Sequence, residues 1–237
     1  MGVRPAAAAD LRFRDRGVYL DAADAVVVAD LHIGRESSAE VEAPLAAADE
    51  IRDRVESLRD EFDPETVVFA GDMLHSFGDL SMTARRTVEQ LYDDCTDDNV
   101  DPVAVAGNHD ARLADCWPDT VEDALALADG TVVCHGHEEP ETAGERYLIG
   151  HDHPALTIEG VRQPCYLYGE RQYREADLLV LPAFTRWAGG VECNHRRASD
   201  LQSPLVRDLA SMQPVVWDGD GEEVLWFPRL ESIRKQL

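Results

Sequence analysis

Short runs of β-branched and other apolar residues alternate with longer amphipathic stretches in the first half of the chain. The runs at 11–20 and 25–29 predict a pair of strands joined by an acidic turn at 21–24. Between 36 and 62, apolar residues recur every three or four positions, which predicts an amphipathic helix with Pro44 in or just before its first turn. Strands at 66–70 and 103–106 flank a second predicted helix at 81–94. This order is typical of βαβ units.

The second half of the chain has shorter apolar runs and predicts a meandering β structure. Strands are expected at 131–134, 146–149, 155–158, 165–168, 178–181, 215–217 and 224–227. The Asp-Gly-Asp-Gly segment at 218–221 predicts a hairpin turn between the last two strands. We also predict a short helix at 120–128 and a loop at 189–214. No linker interrupts the pattern, so we expect one domain over residues 1–237, built as a layered α/β sandwich on two sheets.

The composition is strongly acidic on a globular framework. The 237 residues include 47 Asp and Glu against 22 Lys and Arg, a formal net charge of −25, yet 44% of them are hydrophobic. That apolar content argues against a disordered chain. We hypothesise that the acidic surface is an adaptation to molar salt, where screening acts over about 3 Å and removes the self-repulsion. An acidic protein of ordinary cells is the alternative.

The same charge bears on the partners and the compartment of the protein. A strongly negative surface argues against nucleic acid as a partner, but the argument weakens if the acidic exterior serves solvation at high salt. The apolar runs are far too short to cross a membrane, and residues 1–10 are too weakly apolar for a secretory signal. Five cysteines without a C-x-x-C pair fit reduced thiols. We therefore expect a cytoplasmic protein that does not bind membranes.

Five apolar runs end in residues that commonly bind metal ions or move protons. The carboxyl ends of strands form the ligand crevice of α/β sheets, so we expect these five segments to meet at one site. The segments are Asp30-Leu31-His32, Gly71-Asp72, Gly107-Asn108-His109-Asp110, His135-Gly136-His137 and Gly150-His151-Asp152-His153. Glycines before Asp72, Asn108 and His151 allow sharp turns and a close approach of neighbouring loops.

The residue types of these segments favour a metal site. Residues i and i+2 of an extended segment point the same way, so Asp30 and His32 can present two ligands to one side, as can His151 and His153. Carboxylate, imidazole and amide oxygen without sulfur suit Mn²⁺, Fe²⁺ or Zn²⁺. The candidate ligands are too many for one ion and fit two ions that share a carboxylate. They are Asp30, His32, Asp72, Asn108, His135, His151 and His153.

Each segment alone has a simpler explanation. An Asp-x-His at the end of a strand is more often a capped turn or a hydrogen-bonded polar cluster, and Gly-Asp is an ordinary turn. Five such segments in order, each after an apolar strand, are hard to explain as turns. The chain has neither a glycine-rich phosphate loop nor G-x-S-x-G, which leaves nucleotide-switch and serine-hydrolase functions without support.

The order of the five segments resembles the signature of the calcineurin-like metallophosphoesterases, over residues 30–153. Residues 29–36, Gly71-Asp72 with His75-Ser76, and residues 181–184 are similar to one branch of that family, which contains archaeal phosphoesterases and bacterial ligase-associated DNA-damage-response endonucleases. In that branch a lysine precedes the histidine at position 75, where this chain has Leu74. The resemblance implies a four-layer α/β/β/α sandwich of two mixed sheets flanked by helices, with a dinuclear metal site at its edge.

The resemblance also implies roles for individual residues. Asp30, His32, Asp72 and His153 would hold the first metal. Asp72, as the bridge, would hold the second with Asn108, His135 and His151. His135 rather than His137 is the expected ligand because it directly follows the strand. His109 would stabilise the transition state or protonate the leaving oxygen, and Asp110 would orient it. A hydroxide generated by two divalent ions, with Mn²⁺ first among the candidates, would attack phosphorus without a nucleophilic side chain.

Several further residues are candidates for substrate contacts. His75 is either a contact to a substrate phosphate or a packing histidine, and His137 is a candidate for supporting the ligands. Arginines are dense in the last third of the chain, where they either line a nucleic-acid path or pair with nearby acids. They are Arg171, Arg174, Arg186, Arg196 and Arg197. Arg186 is the one we single out as a substrate contact, and His195 fits an exposed loop.

The leading prediction is a metal-dependent phosphodiesterase that acts on DNA or RNA as a nuclease. A phosphodiesterase or phosphatase for small nucleotides or phosphoesters uses the same ligands and is the alternative. A non-catalytic scaffold on the same fold is disfavoured by the intact ligands and by His109. A helicase or ligase is a candidate partner by analogy alone. The oligomeric state, a homo-oligomer included, stays open.

Overall fold

A six-stranded mixed sheet forms one half of the computed structural model, which describes residues 2–35, 44–75 and 80–234. Its strands lie in chain order, β1 to β6. The first three are antiparallel neighbours, and β3 to β6 run parallel. The strands are β1 (Leu11–Arg14), β2 (Gly17–Leu20), β3 (Ala25–Val28), β4 (Thr66–Ala70), β5 (Asp101–Val105) and β6 (Val121–Glu122).

The remaining strands form a seven-stranded sheet and a small three-stranded sheet. They are β7 (Ala124–Ala126), β8 (Thr131–Cys134), β9 (Arg146–Ile149), β10 (Pro154–Ile158), β11 (Val161–Pro164), β12 (Tyr166–Tyr173), β13 (Ala176–Val180), β14 (Val191–Glu192), β15 (Gln213–Asp218) and β16 (Glu223–Trp226). The large sheet has the order β16-β15-β12-β13-β9-β8-β7, and the small one β11-β10-β14. Within the large sheet, β8, β9 and β13 run parallel.

Two long helices cover the outer face of the first sheet. They are α1 (Pro44–Phe62) and α2 (Met82–Asp97). The side chain of Ser81 caps α2 by accepting a hydrogen bond from the N–H of Ala84 at 3.1 Å, which satisfies one of the free donors at a helix start. α1 and α2 present Ile51, Val55, Leu58, Val88 and Leu91 to the sheet. Burial of this apolar face stabilises both helices more than their intrinsic propensity does.

Successive side chains of the central strands lie on opposite faces of the first sheet and belong to two different cores. In β3, Val26 and Val28 belong to the core under the helices, whereas Val27 belongs to the core between the two large sheets. In β4 the same alternation separates Val67 from Val68. Side chains alternate across a strand, so a continuous apolar run is required where both faces of a sheet are covered. The β-branched runs of the sequence therefore lie in the central strands.

The outer face of the second sheet has a thinner cover. Its core includes residues of β9, β10 and β13, and Leu205, Leu209 and Leu230 pack onto it. Leu230 begins α3 (Leu230–Ile233), the third helix of the described residues. The predicted mixed α/β sandwich of two sheets flanked by helices is confirmed, with short turns, the small sheet and α3 as its fourth layer. Within the described ranges, no helix has the length and hydrophobicity needed to cross a membrane.

Several local predictions are corrected by the structure. The helix predicted at 120–128 is wrong: this segment forms β6 and β7, because unpaired edges of both large sheets are available to it and pairing overrides a weak helix propensity. The strand predicted at 11–20 is a hairpin, since Asp15 and Arg16 adopt positive φ angles of 40° and 69°. The loop predicted at 189–214 contains β14. Residues 36–43 and Ser76 lie outside the described residues.

Candidate metal centre

Five strand ends of the two large sheets meet at one edge. β3, β4 and β5 are parallel neighbours in one sheet, and β8 and β9 are parallel neighbours in the other. Backbone hydrogen bonds tie the loops that follow them: the N–H of Asp30 donates to the carbonyl of Gly71 at 3.0 Å, and that of His32 to Asp72 at 2.9 Å. The segments that the sequence singled out therefore lie side by side.

The first group of candidate ligands consists of Asp30, His32 and His153. The Nε2 atom of His153 lies 3.1 Å from Oδ1 of Asp30 and 3.2 Å from Nε2 of His32. All three ligand atoms lie within 4.8 Å of one another. Asp30 is fully buried, and His153 is partly exposed, so the group opens to solvent on one side.

The second group consists of Asp72, His135 and His151. Nε2 of His135 lies 3.4 Å from Oδ1 of Asp72 and 3.2 Å from Nδ1 of His151. Oδ1 of Asn108 lies 3.2 Å from the same Nε2 atom, so the amide oxygen joins this group. All seven predicted ligands are thus brought together. His151 and His153 do not serve one side, however, because each belongs to a different group.

The geometry of both groups fits divalent metal ions. Atoms bound to one ion at roughly 2.0–2.2 Å lie about 3 Å apart, which is the spacing found between these oxygen and nitrogen atoms. A single hydrogen bond explains why two ring nitrogens lie close together, because one proton is shared between them. It does not explain why three acceptor atoms converge on one point. The donors are carboxylates, imidazoles and an amide oxygen, a set suited to Mn²⁺, Fe²⁺ or Zn²⁺.

The carboxylates of both groups are held in their charged form. Burial by itself would raise the pKa of Asp30, but the charge and hydrogen bond of His153 outweigh it and lower the pKa. Burial opposes ionisation of Asp72 as well, and the hydrogen bond and charge of His135 hold its pKa well below the usual range. Two ionised carboxylates in one buried site create a strong demand for positive charge.

The imidazoles differ in their proton affinity. Burial, the largest cause, lowers the pKa of His32 to about 4, and burial with the charge of His135 lowers the pKa of His151 to about 4. Burial would also lower the pKa of His135, but its hydrogen bond to Asp72 and the charges of Asp30 and Asp72 raise it to about 9. His32 and His151 are therefore neutral at pH 7, as metal binding requires, whereas a cation competes with a proton for His135.

Left-handed backbone is concentrated at the candidate ligands. Asp30, His32, Asp72, His151 and His153 have φ angles of 58°, 47°, 48°, 69° and 46°. Such angles are uncommon outside glycine, and they cluster where the surrounding structure holds a site in a fixed geometry. The ligand segments are therefore tight turns rather than the extended segments that the i and i+2 spacing suggested.

Glycines next to the ligands allow the loops to touch. A Cβ atom on Gly107 would collide with the backbone nitrogen and a carboxylate oxygen of Asp72. A Cβ atom on Gly150 would collide with the carboxylate of Asp30. Both glycines are required by close packing between loops of different strands, as the sequence predicted.

His109 and Asp110 lie against the second group in different ways. The N–H of His109 donates to Oδ1 of Asp72 at 2.9 Å, and its ring Nε2 lies 3.8 Å from Oδ2 of the same residue. The buried Asp110 accepts hydrogen bonds from the N–H groups of Leu74 and Gly107, both at 2.9 Å. Asp110 therefore fixes the loop that carries His109 to the loop that carries Asp72.

The predicted substrate-contact histidines border the same site. The ring centroid of His75 lies 5.5 Å from that of His109, nearly parallel to it, and 5.3 Å from that of His32. His137 lies with its centroid 5.3 Å from that of His135 and lines an acidic cavity of about 390 Å³ together with Glu138 and Glu139. That acidic surrounding disfavours a contact of His137 with a phosphate group.

Two arginines of the last third of the chain have different surroundings. Arg174 lies 3.8 Å from Glu139 and bonds the carbonyl of Pro140, which fits the pairing alternative. Arg186 also pairs with an acid, Glu50, at 3.0 Å, but it lines a cavity that includes His153. Arg186 is therefore the arginine of the predicted set whose surroundings connect it to the metal ligands.

Asp152 is a structurally important residue that sequence reasoning missed. It is buried between His151 and His153, and its carboxylate accepts hydrogen bonds from the N–H of Gln202 at 2.7 Å and of Ser203 at 3.2 Å. These bonds connect both ligands to a distant loop. Its only sequence signal is its place between two ligand histidines.

Comparisons with known proteins place the candidate ligands within a known family. The sequence profile of the family described as calcineurin-like phosphoesterase matches residues 24–189, which include all seven candidate ligands. No curated protein matches the sequence significantly. Among solved structures, nuclease MPE of Pseudomonas putida matches with a TM-score of 0.62 and 24% identity, over 85% of this chain and 88% of that chain. The phosphoesterase Yfce of E. coli matches with a TM-score of 0.47 and 14% identity, over 86% and 98%.

Proposed function

Because the chain belongs to the calcineurin-like phosphoesterases, hydrolases that act on phosphoester bonds, we propose that it cleaves phosphodiester bonds in DNA or RNA with two divalent metal ions. One observation carries the proposal: two groups of ligand atoms, each within 4.8 Å, lie at the same edge and are linked through His135, which contacts both carboxylates. This arrangement matches the need of phosphoryl transfer for charge stabilisation on both sides of phosphorus.

The proposed ligands divide between two ions. Asp30, His32 and His153 would hold one ion, Asn108, His135 and His151 would hold the other, and Asp72 would be shared between them. The ions, when bound, would lower the pKa of water and neutralise the charge of the phosphate. Mn²⁺ is the ion we propose first, because oxygen and imidazole donors without sulfur suit it.

His109 is the proposed proton donor or transition-state contact. Its ring lies beside Asp72, partly exposed, where it can reach a phosphate oxygen at the open side of the ligand groups. A positioned imidazole can stabilise the developing charge or protonate the departing oxygen. Asp110 supports this role through the backbone bonds that fix the His109 loop to the Asp72 loop.

A nucleophilic side chain is not part of the proposal. The cysteine that adjoins the site, Cys134, is buried, and this burial raises the pKa of its thiol to about 12. A thiol without appreciable thiolate at neutral pH is a poor nucleophile. Water activated at the ligand groups is therefore the attacking group that fits these residues.

The choice of nucleic acid over small phosphoesters rests on the branch resemblance and on fold similarity to a nuclease. The test is turnover of labelled single-stranded DNA and RNA with Mn²⁺, against cyclic nucleotides and nitrophenyl phosphates, with His195→Ala as the control for His109→Ala. We expect the wild-type protein to cleave an oligonucleotide and the His109→Ala variant to lose this activity. Turnover of the small esters alone would favour the alternative, and an inert protein with two bound ions would favour a scaffold.

A further inference from the structure

A cavity of about 210 Å³ opens beside the first ligand group, on the side of His153. Three arginines from distant parts of the chain line it: Arg16 from the first hairpin, Arg162 from β11, and Arg186 from the segment after β13. Gly189 and Gly190 complete the rim. Three guanidinium groups around a small cavity are unexpected in a chain with a net charge of −25.

The positive charge of this cavity is only partly neutralised. Arg16 donates to the backbone carbonyls of Ala183 and Thr185, and Arg162 donates to the carbonyl of Gly190 at 2.8 Å. Among the described residues, Arg186 is the one of the three with a carboxylate within 4.0 Å. Carbonyl acceptors orient a guanidinium but leave its charge in place, so the cavity favours an anion.

The electrostatic state of Arg16 agrees with this geometry. Burial is the largest cause that lowers its pKa, to about 10, and the charges of Arg54 and Arg186 add to it, while the charge of Asp15 opposes them. The group stays charged at pH 7, but it is destabilised by partial desolvation and by its cationic neighbours. An anion bound between Arg16 and Arg186 would relieve that repulsion.

Backbone hydrogen bonds connect the cavity to the ligand residues. The N–H of Val191 donates to the carbonyl of His153 at 2.8 Å, and the N–H of Thr185 donates to that of Asp30 at 3.3 Å. The segment that carries Arg186 is thus fixed at both ends to residues of the first ligand group. A substrate that reaches the ligands therefore passes next to the cavity.

We propose that this cavity binds the phosphate group adjacent to the scissile phosphodiester along a nucleic-acid strand. The inference rests on the proposed function. Guanidinium groups bind phosphate through paired hydrogen bonds, and a polynucleotide places a second phosphate within reach of the first. Trp187, 46% exposed and next to Arg186 in the chain, provides an aromatic surface of the kind on which single-stranded bases stack.

The test compares a trinucleotide, which has two phosphodiester groups, with a dinucleotide, which has one. The variants are Arg186→Ala and Arg162→Ala, because both side chains are exposed and their loss should leave the fold intact. Arg229→Ala is the matched control, since Arg229 forms an exposed ion pair with Glu170 at 3.2 Å in the same way as Arg186 does with Glu50. The protein is loaded with Mn²⁺, and thermal unfolding checks the fold of each variant.

We expect each variant to raise KM for the trinucleotide at least tenfold with kcat unchanged, and to leave KM for the dinucleotide as in the wild type. The dependence of KM on salt should also become shallower, because one phosphate contact is lost. Arg186→Lys should recover part of the loss, and Arg229→Ala should change nothing. Equal effects on both substrates, or none, would overturn the inference while the nuclease function stands. A wild-type protein that cleaves neither substrate would overturn both.

Discussion

The Nε2 atom of His32 lies 3.2 Å from the Nε2 atom of His153, although 121 positions separate the two residues in the chain. A hydrogen bond between two neutral imidazoles uses one of these nitrogens as donor and the other as acceptor. The carboxylate of Asp30 lies 3.1 Å from the same nitrogen of His153, so three electron-rich atoms converge. A shared cation explains this convergence better than a single proton does.

The first prediction concerns this shared cation. We expect His32→Ala and His153→Ala each to reduce the metal content from two ions per chain to one, and the double variant to retain that one ion. The second ion is expected to depend on His151 and His135 instead. Metal analysis after dialysis measures the content. His195→Ala, an exposed histidine outside both groups, is the control and should keep two ions.

Additive losses of metal in the double variant would contradict the assignment of His32 and His153 to the same ion. If the double variant lost both ions while each single variant lost one, His32 and His153 would belong to different metals. Thermal unfolding of each metal-free variant separates loss of a ligand from loss of the fold.

A second prediction concerns His109, which lies beside Asp72 without belonging to either ligand group. We expect His109→Ala to lower kcat for a phosphodiester by about 10²–10⁴-fold, the usual contribution of a positioned acid or base. The metal content should stay at two ions. The matched control is His75→Ala, which removes the ring stacked on His109 and should have a smaller effect on kcat. Full activity of His109→Ala with normal metal content would refute the role.

A third prediction concerns Asp152, which joins the two ligand groups to the loop at Gln202 and Ser203. Asp152→Ala leaves two backbone N–H groups without their acceptor, and we expect the free energy of unfolding to fall by about 1–3 kcal/mol. Metal affinity should fall roughly 10–100-fold, because residues that support ligands have effects of this size. Asp152→Asn keeps one carbonyl acceptor. Its free energy of unfolding and its metal affinity should therefore lie between those of Asp152→Ala and those of the wild type.

The control for Asp152 is Asp200→Ala. Asp200 also accepts a backbone hydrogen bond, from Arg197 at 2.8 Å, but it lies on the exposed surface. Isothermal titration with Mn²⁺ and denaturant unfolding give both quantities. The role assigned to Asp152 fails if Asp152→Ala binds metal as tightly as Asp200→Ala and the wild type.

A fourth prediction concerns the acidic surface. If the net charge of −25 is an adaptation to molar salt, the free energy of unfolding should rise from low KCl to molar KCl as self-repulsion is screened. Urea unfolding at both salt concentrations measures it, because urea adds no ions. Equal stability in both conditions would favour an acidic protein of ordinary cells.

The convergence of the candidate ligands was predictable because its signal in the sequence is local. Asp30 and Asp72 each follow a continuous β-branched or aromatic run, and such runs occupy the central strands of a sheet covered on both faces. Parallel neighbours then bring the carboxyl ends together without any further information. The two-sheet sandwich follows from the same runs, since each central strand contributes to two cores.

Other features depend on contacts between distant segments and left no signal in the sequence. Arg16 is a turn residue of the first hairpin, and only the packing of residues 183–185 against that hairpin places it near His153. The strands at Val121–Glu122 and Ala124–Ala126 form because two sheet edges are free to pair, which a pattern of alanine, leucine and acids does not reveal. The left-handed turns at Asp30 and His32 likewise reflect the fixed loops around them.

The most direct test of a hydrolase that uses two metal ions is to remove metal from the protein with a chelator and then add Mn²⁺ stepwise. Bound metal and phosphodiester cleavage are measured on the same samples. We expect no cleavage without metal, and a rate that reaches its maximum only when two ions are bound per chain. Full cleavage by the metal-free or one-ion protein, or no cleavage of any phosphoester by the two-ion protein, would contradict the account.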